Sequence, residues 1–157
     1  MRVHIATDHA GLELSSHLIE VLTANGYEMV NHGPEVYDAE DDYPAFCIDA
    51  ATAVVADRAA GLEALGIVLG GSGNGEQIAA NKVKGVRAAL VWNLDTARLA
   101  REHNDANVVA VGGRQHTVAE ATELIEAFLA EPFSNAERHR RRIGKIASYE
   151  DTGLVAR

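Results

Sequence analysis

The 157-residue chain has a single cysteine, Cys47, so no intrachain disulfide can form and a reducing cytoplasm is the expected setting. Three prolines are too few for a proline-rich linker architecture. No uninterrupted apolar run approaches the ~20 residues that a membrane span requires. The opening MRVHIATDHAG lacks the long apolar core of a signal peptide. Basic side chains are scarce: 14 Lys and Arg against 23 Asp and Glu leave a net charge of −9, which argues against general nucleic-acid binding. An anionic ligand must then be met by a local basic cluster. His4, His17, His32, His116 and His139 show neither H-E-x-x-H nor paired-cysteine spacing, so no metal is expected. What is present, 47 % apolar and 24 % charged residues, suits one soluble globular domain over residues 1–157.

Short apolar runs alternate with segments of helical periodicity. The runs are Arg2–Thr7, Tyr27–His32, Leu65–Gly70, Val86–Trp92 and Asn107–Gly112. Most are rich in valine or isoleucine, the signature of parallel strands buried on both faces, whereas Tyr27–His32 is more polar and suits an edge. Leu14, Leu18, Ile19 and Leu22 make an apolar helical stripe closed by Asn25-Gly26. Pro44 to about Arg58 reads as a second helix with proline in its first turn. Thr117-Val-Ala-Glu120 is a capping box opening a helix through Leu129, and Ser134-Asn-Ala-Glu137 repeats the pattern before a final basic helix. The alternation predicts a doubly wound α/β domain: a five-stranded parallel sheet between helical layers, with a C-terminal basic helix. Asp38–Asp42 (DAEDD) reads as a solvated loop, Trp92, Tyr27 and Phe128 as packing residues, and Cys47 as inert core. The tail after Tyr149 (EDTGLVAR) is expected to be partly disordered.

Ligands of such sheets bind beyond the carboxyl ends of the strands. There, Gly70-Gly-Ser-Gly-Asn-Gly-Glu76 places four glycines in six residues, which lets main-chain N–H groups converge into an anion-binding nest. The glycine spacing is not that of a dinucleotide fingerprint, and Glu76 stands where a P-loop needs lysine. A carboxylate beside a nest repels a bound phosphate, but it suits a site where negative charge develops on a reacting oxygen next to a base. On spacing alone, Glu76 reads equally well as a base and as a first-turn acid favoured by the helix dipole. Asp8-His9 follows the first strand and offers proton exchange with hydroxyls, although Asp8 alone reads more simply as a helix cap. His103 reads as a general acid or as a helix C-terminal cation, with Asn104 as the C-cap. Arg138, Arg142 and Lys145 share one helix face, and residues 138–145 hold 5 of the 14 basic side chains, which favours anion recognition over a solvated face. Arg114, after the fifth strand, offers a further guanidinium.

In this order, ATDHAG, DYPAFC, GIVLGGSGNGEQIAANK, AREHNDANVVAVGGR and ERHRRRI resemble type B ribose-5-phosphate isomerase over nearly the whole chain. The resemblance implies a Rossmann-like, flavodoxin-like three-layer fold and metal-free, cofactor-free interconversion of ribose 5-phosphate and ribulose 5-phosphate in the non-oxidative pentose phosphate pathway. It implies a homodimer or tetramer with sites shared between subunits. It also implies that Asp8 and His9 contact substrate and that Gly71, Ser72, Gly73, Asn74 and Gly75 form the anion hole for an enediolate. Asn104, Arg114, Arg138 and Arg142 would bind substrate, the arginines chiefly through its phosphate. His103 would serve acid–base work at the furanose ring, with Asp8 as a second candidate. Many members carry a catalytic cysteine at the position of Gly70. This chain resembles the branch that lacks it and uses the residue at Glu76 as base, with Ser72 orienting base or substrate. A six-carbon sugar-phosphate isomerase and a non-catalytic sugar-phosphate sensor are the alternatives; the sensor would not need Glu76.

Overall fold

The computed structural model describes residues Met1–Val155. Five strands, β1 (Arg2–Ala6), β2 (Glu28–Asn31), β3 (Ala64–Gly70), β4 (Ala88–Leu90) and β5 (Val108–Gly112), alternate with α1 (Leu12–Ala24), α2 (Tyr43–Ala59), α3 (Asn74–Ala80), α4 (Leu94–Asn104) and α5 (Val118–Ala130), and α6 (Glu137–Thr152) follows. All strand pairs are parallel, in the order β2-β1-β3-β5-β4. The chain leaves β1 and β3 towards opposite sides, so the carboxyl ends of this neighbouring pair form the switch point where α/β sheets bind ligands. The polar run after residue 26 is an edge strand, as its composition predicts. The other edge differs from expectation. β4 is only three residues long and half-exposed, because β5 inserts between it and β3.

The two faces of the sheet are packed differently. On one, Val3, Ile5, Ile67, Leu69, Val109 and Val111 meet the apolar stripes of α1, α4 and α5, with Phe128 fully buried. On the other, α2 and α3 lie against small residues, Ala6, Ala88 and Ala110. Space there is tight: a β-carbon at Gly66 would press on Val54 Cγ2 and Val108 Cγ2 at 3.0 and 3.1 Å. Cys47 is fully buried in this layer, as expected of an inert core thiol.

Four local readings are corrected. Ser134 does not cap α6: the N-cap is Ala136, without a side-chain bond, because the Ser134 hydroxyl is engaged with His139 Nδ1 at 2.7 Å. Trp92 is 62 % exposed and so packs against nothing that would bury it. Helix α4 runs one residue further than predicted, so its C-cap is Asp105 in the left-handed region (φ 43°), not Asn104. The tail stays helical through Thr152, tied down by Glu150 accepting from the Gly85 N–H and by the Lys84–Asp151 ion pair. Its last two residues lie outside the described residues.

Asp105 is where α4, β4 and β5 are tied together. Its carboxylate accepts from Arg58, Arg87 and Arg101, while Arg87 also donates to the main-chain carbonyls of Asn104 and Asp105 at 2.8 Å each. Three part-buried guanidiniums thus share one carboxylate, and removing it leaves mutually repelling cations. Asp105→Ala is expected to cost about 2–4 kcal/mol in urea denaturation, from the broken ion pairs and from alanine in a left-handed conformation.

Candidate active site

At the switch point, the chain after β1 turns through a 3-10 segment at His9–Gly11, and Asp8 Oδ1 caps it by accepting from the Ala10 N–H at 2.9 Å. Asp8 therefore is a cap, as its position alone suggests, yet it is also buried and its charge acts on Glu76. After β3, Gly73 adopts φ 79°, which turns the chain sharply into α3. The N–H groups of Gly71, Ser72 and Gly73 have no acceptor among the described residues. Ser72 Oγ accepts from the Asn74 backbone N–H and from Asn74 Nδ2, both at 3.3 Å, which leaves its own proton to donate. Arg114 arrives from the loop after β5, its N–H bonded to the Gly71 carbonyl and its side chain close to Gly71. Beside this loop a cleft of about 450 Å³ is lined by residues including Ser72, Asn74, Gly112 and His116.

Glu76 sits at the centre of this group, 4 % exposed. Its carboxylate fills the space that a side chain at position 70 would occupy: a β-carbon at Gly70 would overlap Oε1 and Cδ of Glu76. Burial raises its pKa above the ordinary carboxylate range; its own backbone N–H opposes the shift, and the Asp8 charge reinforces it. Glu76 is also the acid in the first turn of α3, but a buried one. The phenol of Tyr43 lies over Gly75, where no β-carbon fits. Behind Glu76, burial pushes the Cys47 thiol up to about 12, helped by the Glu76 and Asp8 charges, so it is no nucleophile.

His103, Asn104, Arg138 and Arg142 form a second group elsewhere. Helix α4 runs back along the sheet, so its last residues precede the start of β5, whose five residues span about 17 Å before Gly112 and the glycine loop are reached. There His103 lies against His139, ring centroids 4.3 Å apart. His139 Nε2 accepts from Arg138 Nε at 3.0 Å, which places its proton on Nδ1 towards Ser134. Burial and the neighbouring His103, Arg138 and Arg142 charges depress the His139 pKa. Arg138, Arg142 and Lys145 are solvent-exposed, whereas Arg141 is paired with Glu137. One chain therefore gathers Asp8, His9, Gly71–Gly75, Glu76 and Arg114 at one end of the sheet, and His103, Asn104, Arg138 and Arg142 at the other.

Sequence reasoning passed over Tyr43, His139, Arg87 and Asp41. The Asp38–Asp42 loop is not wholly solvated: the Asp41 side chain is 8 % exposed and meets His9. No local pattern signals this contact, which joins positions 32 apart. Asp8, His9 and Asp41 offer ligand atoms within 4.8 Å of one another, types a divalent cation takes, but His9 Nδ1 is already engaged by Asp41 and Asp8 Oδ1 by Ala10. No helix among the described residues is long and apolar enough to cross a membrane.

A buried carboxylate against a glycine loop, at the switch point of a parallel α/β sheet, is the architecture of a small-molecule enzyme. The chain belongs to the ribose/galactose isomerase family, whose model matches residues 3–146. Ribose-5-phosphate isomerase B of Mycobacterium tuberculosis (strain ATCC 25618 / H37Rv) is 58 % identical over 152 residues, covering 97 % of this chain and 91 % of that protein. The crystal structure of ribose-5-phosphate isomerase B from Mycoplasma genitalium with bound ribulose-5-phosphate matches with a TM-score of 0.89 at 41 % identity, covering 96 % of this chain and 97 % of that one. Type B ribose 5-phosphate isomerase from Trypanosoma cruzi matches with a TM-score of 0.89 at 42 % identity, covering 98 % of each chain.

The raised Glu76 pKa makes a stability prediction. A carboxyl that holds its proton more tightly when folded loses stability as pH rises from its unfolded pKa through its folded one. Glu76→Gln should therefore raise Tm at about pH 8 and leave it nearly unchanged at about pH 4, read by calorimetry at both pH values.

Proposed function

We infer that this chain is an aldose–ketose isomerase that interconverts D-ribose 5-phosphate and D-ribulose 5-phosphate, with residues 1–157 acting as one catalytic domain. The observation that carries the mechanism is the Glu76 carboxylate, desolvated and seated in the volume above Gly70 where many family members place a cysteine side chain. Glu76 is the base. It takes the proton from carbon 2 of the open-chain aldose and returns it to carbon 1, while a second proton passes from the carbon 2 oxygen to the carbon 1 oxygen. Desolvation lifts Glu76 from a weak base towards one matched to neutral pH. The unpartnered N–H groups of Gly71, Ser72 and Gly73 hold the enediolate oxygen, each such donor being worth roughly 3–4 kcal/mol. Ser72 donates its free proton to the same oxygens. Asp8 and His9 contact the sugar, Asn74 and Gly75 complete the loop, and Arg114 flanks it. No cofactor is called for by this proton transfer.

His103, Asn104, Arg138 and Arg142 then reach a substrate only if a second copy brings its far end to the first copy's glycine loop. We propose a homodimer, with a tetramer as its doubled form, in which His103 opens the furanose ring and the arginines grip the phosphate. Three features support it: the short open edge at β4, the exposed Trp92, Ile146 and Tyr149, and a groove of about 600 Å³ beside them, lined by residues including Asn104 and Arg87. Cytoplasmic residence is proposed from cysteine usage.

Wild type should convert ribose 5-phosphate with EDTA present, Glu76→Gln should lose several orders of magnitude, and Cys47→Ser should keep its rate. An active Glu76→Gln enzyme would remove the base. Turnover of a six-carbon phosphate alone would keep the mechanism and change the substrate. Binding without turnover, unaffected by Glu76→Gln, would leave a sensor. Co-refolding Glu76→Gln with Arg142→Ala should restore about a quarter of wild-type activity, because half of randomly paired dimers carry one intact site of two. No recovery would show that each site lies within one chain.

A further inference from the structure

Asp41 has no part in the proton transfer described above, yet its surroundings are unusual. One oxygen, Oδ1, accepts both from the His9 backbone N–H at 3.1 Å and from His9 Nδ1 at 2.7 Å. The other oxygen, Oδ2, is buried and has no partner among the described residues. A carboxylate taken out of water needs compensation from the groups it touches. Here both side-chain hydrogen bonds come from a single residue. His9 is therefore held twice, through its main chain and through its ring, and the carboxylate keeps the ring proton on Nδ1. That leaves His9 Nε2, which has no hydrogen-bond partner among the described residues, as the ring atom available to a ligand. The ring itself is only partly exposed, with Tyr37 from the same loop edge-on to it at 5.9 Å.

We propose that Asp41 is a positioning residue for His9: by holding Nδ1–H it fixes the imidazole's orientation and makes Nε2 the atom that meets the sugar phosphate. A carboxylate that orients a histidine in this way, in metal sites and hydrolases alike, works by selecting one tautomer and stabilising the ring when it becomes positively charged. An acidic side chain from the loop between β2 and α2 thereby enters the site through a contact with the turn after β1. The proposal deepens the isomerase reading and rests on it for its kinetic consequence, whereas the state of the His9 ring is measurable without any substrate.

Two measurements test it, each on the full-length protein. In nitrogen-15 NMR of the imidazoles, assigned with His9→Ala, wild-type His9 should carry its proton on Nδ1, and Asp41→Ala should shift it towards the Nε2–H form that free imidazole favours. In a double-mutant cycle, Asp41→Ala should lower kcat/KM by roughly 10–100-fold in the wild-type background and have little effect on top of His9→Ala. Asp41→Asn covers the case of a poorly folding alanine variant: its amide oxygen can still accept from Nδ1, so orientation should be retained, with an intermediate loss of activity. A neutral Nε2–H tautomer in the wild type would overturn the proposal. So would an equal loss from Asp41→Ala with and without His9. A wild type that turns over no sugar phosphate would sink the isomerase reading and leave the NMR result to decide the Asp41 contact.

Discussion

The constraint on which the site depends is the missing side chain at position 70. Without a β-carbon there, the Glu76 carboxylate can fold back over the end of β3, out of water, beside the glycine loop. Its surroundings follow from that placement. β3 is buried along its whole length, Cys47 packs behind with its thiol held protonated, and the Tyr43 phenol lies over Gly75. Asp8, capping the next turn, contributes a second negative charge that reinforces the desolvation of Glu76 rather than relieving it. Burial thus raises the pKa of a residue type that, at the start of a solvated helix, would be an ordinary carboxylate, and the base role proposed for Glu76 rests on that shift.

The second organising interaction is Asp105, whose one carboxylate holds three arginines at the end of α4. It fixes the place where His103 and Asn104 leave the helix, and the hydrogen bond from the Ser134 N–H to the Glu102 carbonyl brings α6 to the same spot. The depressed pKa of His139 fits its position there: held neutral, it accepts from Arg138 and lies against His103 without adding charge to an already basic patch. Because α4 runs opposite to the strands, this basic end is separated from Glu76 by the length of the sheet. That separation is the geometric ground for the dimer proposed above, in which one copy brings Glu76 and the glycine loop and the other brings His103 and the arginines.

The α/β class, all five strands, the edge position of β2, the capping box at Thr117, the glycine loop and the buried, unreactive character of Cys47 were legible along the chain. These rest on local periodicity, on turn chemistry and on the apolar character of a few adjacent residues. The motifs carrying the family resemblance were legible for the same reason, being short and contiguous. The remainder came from contacts between segments far apart in the chain. The order β5 before β4 sets which strand is exposed, and nothing in either strand's composition distinguishes them strongly. Ser134 matches a capping box letter for letter, yet a long-range packing partner, His139, claims its hydroxyl. Asp41 reads as one more acid in a solvated run until the fold brings it to His9. Glu76 left two readings open on spacing alone; its burial against Gly70, a contact between the end of β3 and the first turn of α3, supports the base proposed above. Residue type and local spacing are written along the chain, whereas desolvation and charge pairing depend on which distant segments the fold brings into contact.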